Sequence, residues 1–252
     1  MIEVFRVPIS KAQLRSIPED ERNLLLLASH AVNQLSTLRK ILVFSLNYKS
    51  ASELENTLSA AQSQTILRFL FGALAEAWEM VKRPINQKLI GRDYAQLIEP
   101  QGRAAYEELK RHFAHSNLLH KLRNTIAYHH PRAHELAAAF ADVPEDEDWA
   151  WYPSETINNS FYLASDMVIS AGAMRESGET DPAKAFGKIM DIVVSVSNDM
   201  TDFFLSLMRA IVVRYLGANI MSPEPGTGIQ IAEAPNLYEF SIPFFTVRAD
   251  QA

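Results

Sequence analysis

A long helical pattern in the last third of the chain constrains the fold most. Thr180 or Asp181 is suited to cap a helix, Pro182 to occupy its first position, and the pattern continues to about Gly217. Apolar residues in it alternate spacings of four and three, as on a helix with one buried stripe. They are Ile189, Val193, Val196, Met200, Phe203, Leu207 and Ala210. We interpret this seam as the core of a helical bundle, although a dimer interface would show the same pattern.

Helical periodicity also dominates the rest of the chain, and strand-like alternation is confined to its two ends. Ser52 and Glu55 have the spacing of a capping box. Residues 142–153 combine acids, aromatic residues and prolines without a period, so we expect a surface loop there. Helices are predicted at 18–48, 52–84, 102–131, 134–140 and 154–175. Strand-like stretches lie in MIEVFRV, IQIAE and LYEFSIPFFTV, which we expect to form a small sheet or clasp.

These patterns predict a mainly α protein. The expected architecture is an antiparallel helical bundle with short strand-like segments at the N- and C-terminal ends. With 252 residues, of which 48% are hydrophobic, the chain can bury a sizeable core. We assign residues 1–218 to a single helical-bundle domain and residues 219–252 to a C-terminal extension. The chain has only nine glycines and no glycine-rich phosphate loop, which argues against P-loop and Rossmann nucleotide binding.

Composition excludes several further classes of function. Without cysteine there is no disulfide, thiolate catalysis or thiolate-bound metal, and no pair of His and carboxylate ligands stands out, so no metal or cofactor is expected. The net charge of -6 argues against broad DNA binding. A local site remains open, since residues 103–132 hold six Lys or Arg against two acids. We find no membrane-length apolar run or secretory leader and expect a cytoplasmic protein.

The stretch HKLRNTIAYHHPRAHE, residues 120–135, concentrates the chemistry of this basic window. On an ideal helix one polar face collects a serine, histidines, an arginine and an amide. Its members are Ser116, His120, Arg123, Asn124, Ala127 and His130. The neighbouring stripe of Leu119, Leu122 and Ile126 should be buried. Pro131 disfavours helical geometry at His130, so the last turn is expected to unwind.

Arginine, asparagine and histidine at this spacing suit phosphodiester chemistry on RNA without a metal. Histidine exchanges a proton near neutral pH, arginine clamps a phosphate, and asparagine orients its neighbours. We therefore take Arg123, Asn124 and His130, which share the polar face, as candidate catalytic residues, whereas His129 continues the stripe of Leu122 and Ile126 if the helix stays regular. The candidates for substrate binding are Ser116, His120 and Lys121. A structural interpretation is equally open at this point, because Arg123 and His130 could simply complement a helix C-terminus.

The motif RNTIAYH, residues 123–129, resembles the signature of the HEPN superfamily (higher eukaryotes and prokaryotes nucleotide-binding domains). That signature is an arginine, a polar residue that is often Asn, and a histidine after a spacer of four to six. His129 gives a spacer of five here and His130 a spacer of six. Its helical surroundings look most like the abortive-infection proteins of the AbiU type. The resemblance implies a helical bundle that usually dimerises and brings two motifs into one composite site.

Active members of this superfamily are metal-independent ribonucleases that act as toxins or in antiviral defence. The resemblance implies that Arg123 stabilises the scissile phosphate, Asn124 orients the site and His129 transfers protons. We therefore expect an endoribonuclease acting on RNA, with a homodimer as its assembly and no membrane or DNA partner. The alternative is a non-enzymatic helical dimerisation, interaction or nucleotide-binding module, which would use the 180–217 helix and the basic window. A His and carboxylate metalloenzyme ranks third.

Overall fold

The computed structural model describes residues 2–114, 118–122, 131–147, 149–221, 228–231 and 233–246. The protein is mainly α with short strands, as predicted. Its α-helices are α1 Lys11–Ser16, α2 Glu19–Leu46, α3 Glu53–Val81, α4 Pro84–Lys88, α5 Pro100–His112, α6 Leu118–Leu122, α7 Ala133–Asp142, α8 Leu163–Ser177 and α9 Pro182–Leu216. The strands are β1 Ile2–Phe5, β2 Trp151–Tyr152, β3 Phe161–Tyr162 and β4 Gly228–Ile231. A π-helical turn spans Leu89–Tyr94, and 3-10 turns span Ile157–Asn159 and Ala218–Met221.

Local chemistry explains where the long helices begin and end. The first turn of α2 holds three acids, which favour the positive end of the helix dipole. Asp181 caps α9 by accepting hydrogen bonds from the backbone N–H groups of Ala183 (2.9 Å) and Lys184 (3.1 Å). Gly178 ends α8 in the left-handed region at φ 73°, and Gly217 follows α9 at φ 83°. The predicted bounds of α9 are therefore confirmed.

The capping box predicted at Ser52 forms only in part. Its hydroxyl accepts a hydrogen bond from the backbone N–H of Glu55 at 3.3 Å, as expected for a cap of α3. The Glu55 carboxylate does not complete the box, because it accepts a hydrogen bond from the Tyr48 hydroxyl at 2.6 Å. The backbone N–H of Ser52 donates instead to the Ser50 hydroxyl at 3.1 Å.

The chain divides into two compact units, and α2, α3 and α9 contribute a segment to each. Unit 1 comprises residues 1–36, 73–113 and 195–235. Its core contains the fully buried side chains of Leu24, Leu74, Leu109 and Phe203, among others. β1 and β4 also lie in this unit and pair antiparallel, with Ile2 opposite Ile231. The predicted sheet between the two ends of the chain is therefore confirmed for these strands.

Unit 2 comprises residues 37–72, 114–194 and 236–252. In its core, α3 buries a broad apolar face, including Leu58, Leu67, Leu70 and Phe71. A smaller apolar cluster lies where α7 packs on α8 and is built from Ala139, Val143 and Val168, with Trp149, Met167 and Ala171 against it. Unit 2 carries the described residues that flank the RNTIAYH motif, so the candidate site belongs to it.

The seam along α9 is part of the core of the chain itself. All seven of its residues are buried, with exposed fractions between 0% and 8%. The interpretation of the seam as a bundle core is therefore confirmed. A dimer of this protein would need a different surface, because these side chains are already covered within one chain.

The predicted helix 102–131 is wrong as a continuous element. α5 ends at His112, and a separate helix, α6, begins at Leu118. The backbone leaves helical geometry at Phe113, whose ring stacks on Trp78 with 5.1 Å between centroids. Packing of this ring in the unit 1 core outweighs the local helical pattern.

The predicted helix 154–175 begins too early, since α8 starts only at Leu163. Ser154 and Ser160 bond to each other across a turn: the Ser154 N–H donates to the Ser160 hydroxyl, and that hydroxyl donates to the Ser154 carbonyl. Such side-chain bonds compete with helix formation. β3 then pairs with β2, so strand structure is not confined to the chain ends, and the loop predicted at 142–153 includes one short strand.

The strand predicted in LYEFSIPFFTV is wrong over its described part, residues 237–246, which contain no regular element. Side-chain amides of unit 2 take up backbone groups that a strand partner would need. The Asn47 amide donates to the carbonyls of Leu237 and Phe240, both at 3.1 Å. Asn159 both donates to and accepts from the backbone of Thr246, at 2.8 and 3.0 Å. These hydrogen bonds hold the segment in place without regular secondary structure.

Candidate functional site

The predicted catalytic residues fall in a part of the chain that the structure does not describe. Arg123, Asn124, His129 and His130 lie outside the described residues, as does Ser116. His120 belongs to α6 by its backbone. The assignments of catalytic and substrate-binding roles to these residues stay predictions. What the structure does describe is the helix before the motif, the helix after it and the helix on which both pack.

α6 leads directly into the motif and confirms part of its predicted amphipathic pattern. Leu119 and Leu122 are both 0% exposed, as expected for the apolar stripe next to the polar face. Ile126, the third member of that stripe, lies outside the described residues. The side chain of Lys121 is 49% exposed. The predicted apolar stripe is therefore confirmed at Leu119 and Leu122, and the polar face stays a prediction.

α6 packs against α8, and an ion pair accompanies the contact. The Lys121 ammonium lies 3.9 Å from the carboxylate of Glu176, whose side chain is 27% exposed. A pair this exposed contributes little to folding, about 0–1 kcal/mol. It nevertheless gives the lysine a fixed neighbour beside the motif. Lys121 was predicted to bind RNA, and the structure leaves half of its side chain accessible for that role.

α7 begins just after the motif and packs on the same helix, α8. Arg175 holds the contact: its Nε and Nη2 atoms donate to the two carboxylate oxygens of Asp142 at 2.6 and 2.7 Å, and Nη2 also donates to the Ala138 carbonyl at 2.8 Å. The guanidinium lowers the pKa of the Asp142 carboxyl group. Planar two-point pairing of this kind fixes geometry as well as charge. The two described elements that flank the motif are thus anchored on one helix.

Charges in the basic window are partly compensated. On α5 the Lys110 ammonium pairs with Glu107 at 2.6 Å, and the guanidinium of Arg111 pairs with Glu108. These i,i+3 pairs are typical of a solvated helix face. In α7 and just before it, Arg132 and His134 are exposed.

One ionisable pair escapes prediction from the sequence. His112, the last residue of α5, lies with its Nε2 atom 3.6 Å from a carboxylate oxygen of Asp199 on α9, and both side chains are largely buried within unit 1. Burial raises the pKa of the Asp199 carboxyl group, and the neighbouring His112 partly opposes this. The two residues are far apart in the sequence, and no spacing rule connects them. The pair joins α5 to α9.

The described residues contain no cluster of three or more His, Asp or Glu side chains that could hold a metal ion. Nor do they contain a helix that is both long enough and apolar enough to pass through a membrane.

Fold and site together define a mainly α protein in which α8 anchors both neighbours of an RNTIAYH segment. No protein-family model matches the chain, and comparison with curated proteins and with solved structures finds no significant similarity.

Proposed function

We propose that the protein is a HEPN-like, metal-independent endoribonuclease whose active site is the motif at residues 123–130, and that it acts in phage defence or as a toxin in the cytoplasm, as a homodimer. The observation that carries this proposal is that the helices before and after the motif pack on the same helix. α6, whose buried leucines match the predicted stripe, and α7 both pack on α8. A catalytic segment benefits from such support because small displacements of reacting groups cost large factors in rate.

The reaction follows from the residue types. One histidine, His129 or His130, takes the proton of a ribose 2′-hydroxyl, and the 2′-oxygen attacks the adjacent phosphorus. The bond from phosphorus to the 5′-oxygen breaks, and this leaving oxygen takes a proton from the histidine that was protonated in the first step or from water. The products are a 2′,3′-cyclic phosphate and a 5′-hydroxyl end. Arg123 stabilises the negative charge on the phosphorane-like transition state, and Asn124 orients the phosphate or the histidine. Lys121, Ser116 and His120 contribute contacts to RNA.

The test is an RNA cleavage assay in the presence of a chelator. Arg123→Ala, His129→Ala and His130→Ala are compared with the wild type, and the cleaved ends are mapped. We expect the rate of RNA cleavage to fall at least about a hundredfold with Arg123→Ala and with one of the two histidine variants. The matched controls are Arg132→Ala and His134→Ala, which remove the same side chains at exposed positions beyond the motif. Equal cleavage by Arg123→Ala and wild type would indicate a contaminating nuclease and refute the proposal.

The alternative is a non-enzymatic interaction or nucleotide-binding module. Such a module would dimerise through the seam of α9, but those side chains are buried within the chain. Absence of cleavage by a folded wild-type protein, with intact RNA at all times, would favour this alternative and a search for its partner.

A further inference from the structure

A ring-sized cavity lies within unit 2, between α3, α8 and α9. Its volume is about 120 Å³. The cavity is partly open to solvent. Its volume is comparable with that of an enclosed apolar cavity of about 150 Å³ that is known to bind benzene. Nine of its twelve lining residues are apolar, which makes the interior unsuitable for a cluster of water molecules. Phe71 from α3 and Phe186 from α9 supply aromatic walls, and Met174 from α8 supplies a polarisable one.

The wall of the cavity carries one local hydrogen-bonding site. The Ser170 hydroxyl donates its proton to Oε1 of Gln64, which leaves the serine oxygen able to accept a further hydrogen bond. The Gln64 side-chain nitrogen has no acceptor among the described residues. A donor and an acceptor are therefore available next to each other. A single hydroxyl group on a ligand satisfies both, because it accepts from the amide nitrogen and donates to the serine oxygen.

Charge restricts the ligand further. Arg68, the one cation of the wall, is paired with Asp166, so the wall carries no free charge. The cleft that adjoins the cavity through Ser170, Met174 and Pro182 is lined by three carboxylates and one arginine. Two of these carboxylates are already paired, Asp142 with Arg175 and Glu179 with Lys188, so the residues that line the cleft offer a negative ligand no unpaired cation. A nucleobase would bury more polar groups than Gln64 and Ser170 can pair, which is costly.

We infer that this cavity is a binding site for a small uncharged aromatic molecule with one hydroxyl group, that is, a phenol. The ring fills the apolar interior, and the hydroxyl bridges Gln64 and Ser170. The inference does not depend on ribonuclease activity, because it uses only described residues outside the RNTIAYH motif.

Titration calorimetry and protein-observed NMR on the full chain test the inference with phenol as probe. Ala185→Leu places a larger side chain in the cavity, since Ala185 is 1% exposed and lines it. Ala183→Leu makes the same change two residues away at an exposed position of α9. We expect saturable 1:1 binding to the wild type and to Ala183→Leu, and a loss of affinity of about tenfold or more with Ala185→Leu.

A second comparison isolates the hydroxyl contact. Gln64→Leu should weaken phenol binding about tenfold and leave toluene, which has a methyl group in place of the hydroxyl, unaffected. If Ala185→Leu does not fold, the comparison of phenol and toluene binding to Gln64→Leu still tests the inference. The inference is overturned if phenol does not saturate the wild type, if Ala185→Leu binds it equally, or if toluene, benzoate or uracil binds as tightly as phenol.

Discussion

The Tyr215 hydroxyl donates a hydrogen bond to Oε1 of Glu21 at 2.8 Å, and the Tyr94 hydroxyl donates to the other oxygen of the same carboxylate. Glu21 is only 7% exposed and Tyr94 is fully buried. The Arg214 guanidinium lies 5.4 and 5.5 Å from the centroids of the two tyrosine rings. This cluster joins the first turn of α2, the π-helical turn and the last turn of α9 within unit 1. A carboxylate withdrawn from water is thus kept satisfied by two phenols.

The cluster predicts a loss of stability at alkaline pH. Burial, followed by the Glu21 hydrogen bond, raises the pKa of Tyr94 above its usual value near 10, and the same causes raise the pKa of Tyr215. The folded state therefore holds these phenolic protons more tightly than the unfolded state. Their contribution to stability is complete below about pH 10 and is lost as the pH rises further. Denaturant unfolding between pH 8 and 11.5 should show this fall.

Tyr94→Phe should reduce the free energy of unfolding at pH 8 by about 1.5–3 kcal/mol, because it removes a hydrogen bond to a buried carboxylate. It should also make the free energy of unfolding decrease less steeply above pH 10, because one phenol with a raised pKa has been removed. Tyr238→Phe is the control, because Tyr238 is 73% exposed. A wild-type stability that does not change above pH 10, or an equal slope in both variants, would contradict this account.

Lys121 offers a way to separate RNA contact from fold. Its ion pair with Glu176 is exposed, so Lys121→Ala should change the free energy of unfolding by less than about 1 kcal/mol. If the ammonium contacts an RNA phosphate, the same variant should weaken RNA binding and reduce the slope of log affinity against log salt by about 0.7. Fluorescence anisotropy at several salt concentrations measures both. Glu176→Gln removes the partner and should leave the salt slope unchanged or steeper.

The α9 seam predicts very different costs for one substitution at two neighbouring leucines. Leu207 is fully buried, whereas Leu205 on the same helix is 50% exposed. Leu207→Ala should lower the free energy of unfolding by about 2–5 kcal/mol through lost burial and a new void. Leu205→Ala should change it by about 0.5 kcal/mol or less. Urea unfolding at several protein concentrations checks this. A concentration-dependent midpoint that Leu207→Ala abolishes would assign the seam to a dimer instead.

The elements that the sequence predicts best are those with a helical period and explicit boundary residues. α9 has both, in the Asp181 cap and in Gly217, and its buried face is as expected. Errors arise where contact with a residue distant in the sequence determines the local structure. Phe113 leaves the helix to stack on Trp78, and Ser154 bonds to Ser160 in place of starting a helix. Periodicity carries no information about such partners.

The candidate site divides along the same line. The buried stripe of α6 follows from local spacing, and Leu119 and Leu122 confirm it. The packing of α6 and α7 on the same helix, α8, is accompanied by contacts of Glu176 and Arg175 with residues distant in the sequence, and no motif marks these contacts. The cavity could not be predicted from the sequence either. One usable indication of polar groups facing an interior was the pair Gln64 and Arg68, which lie one helical turn apart on the largely apolar α3.

Two glycines in helices should respond to alanine in opposite directions. A Cβ atom on Gly102 in α5 would collide with the Cβ and Oγ atoms of Ser206 and lie 2.9 Å from a methyl carbon of Ile98. Since a Cβ cannot rotate away, Gly102→Ala should destabilise unit 1 by about 1–3 kcal/mol. At Gly187 in α9, no described atom lies within 4 Å of the added carbon. Gly187→Ala should therefore stabilise the protein by about 0.5–1 kcal/mol, because alanine loses less backbone entropy in a helix. The melting temperatures of the two variants, measured by thermal unfolding, test this prediction. If both melting temperatures shift in the same direction, α5 does not approach α9 this closely at Ser206.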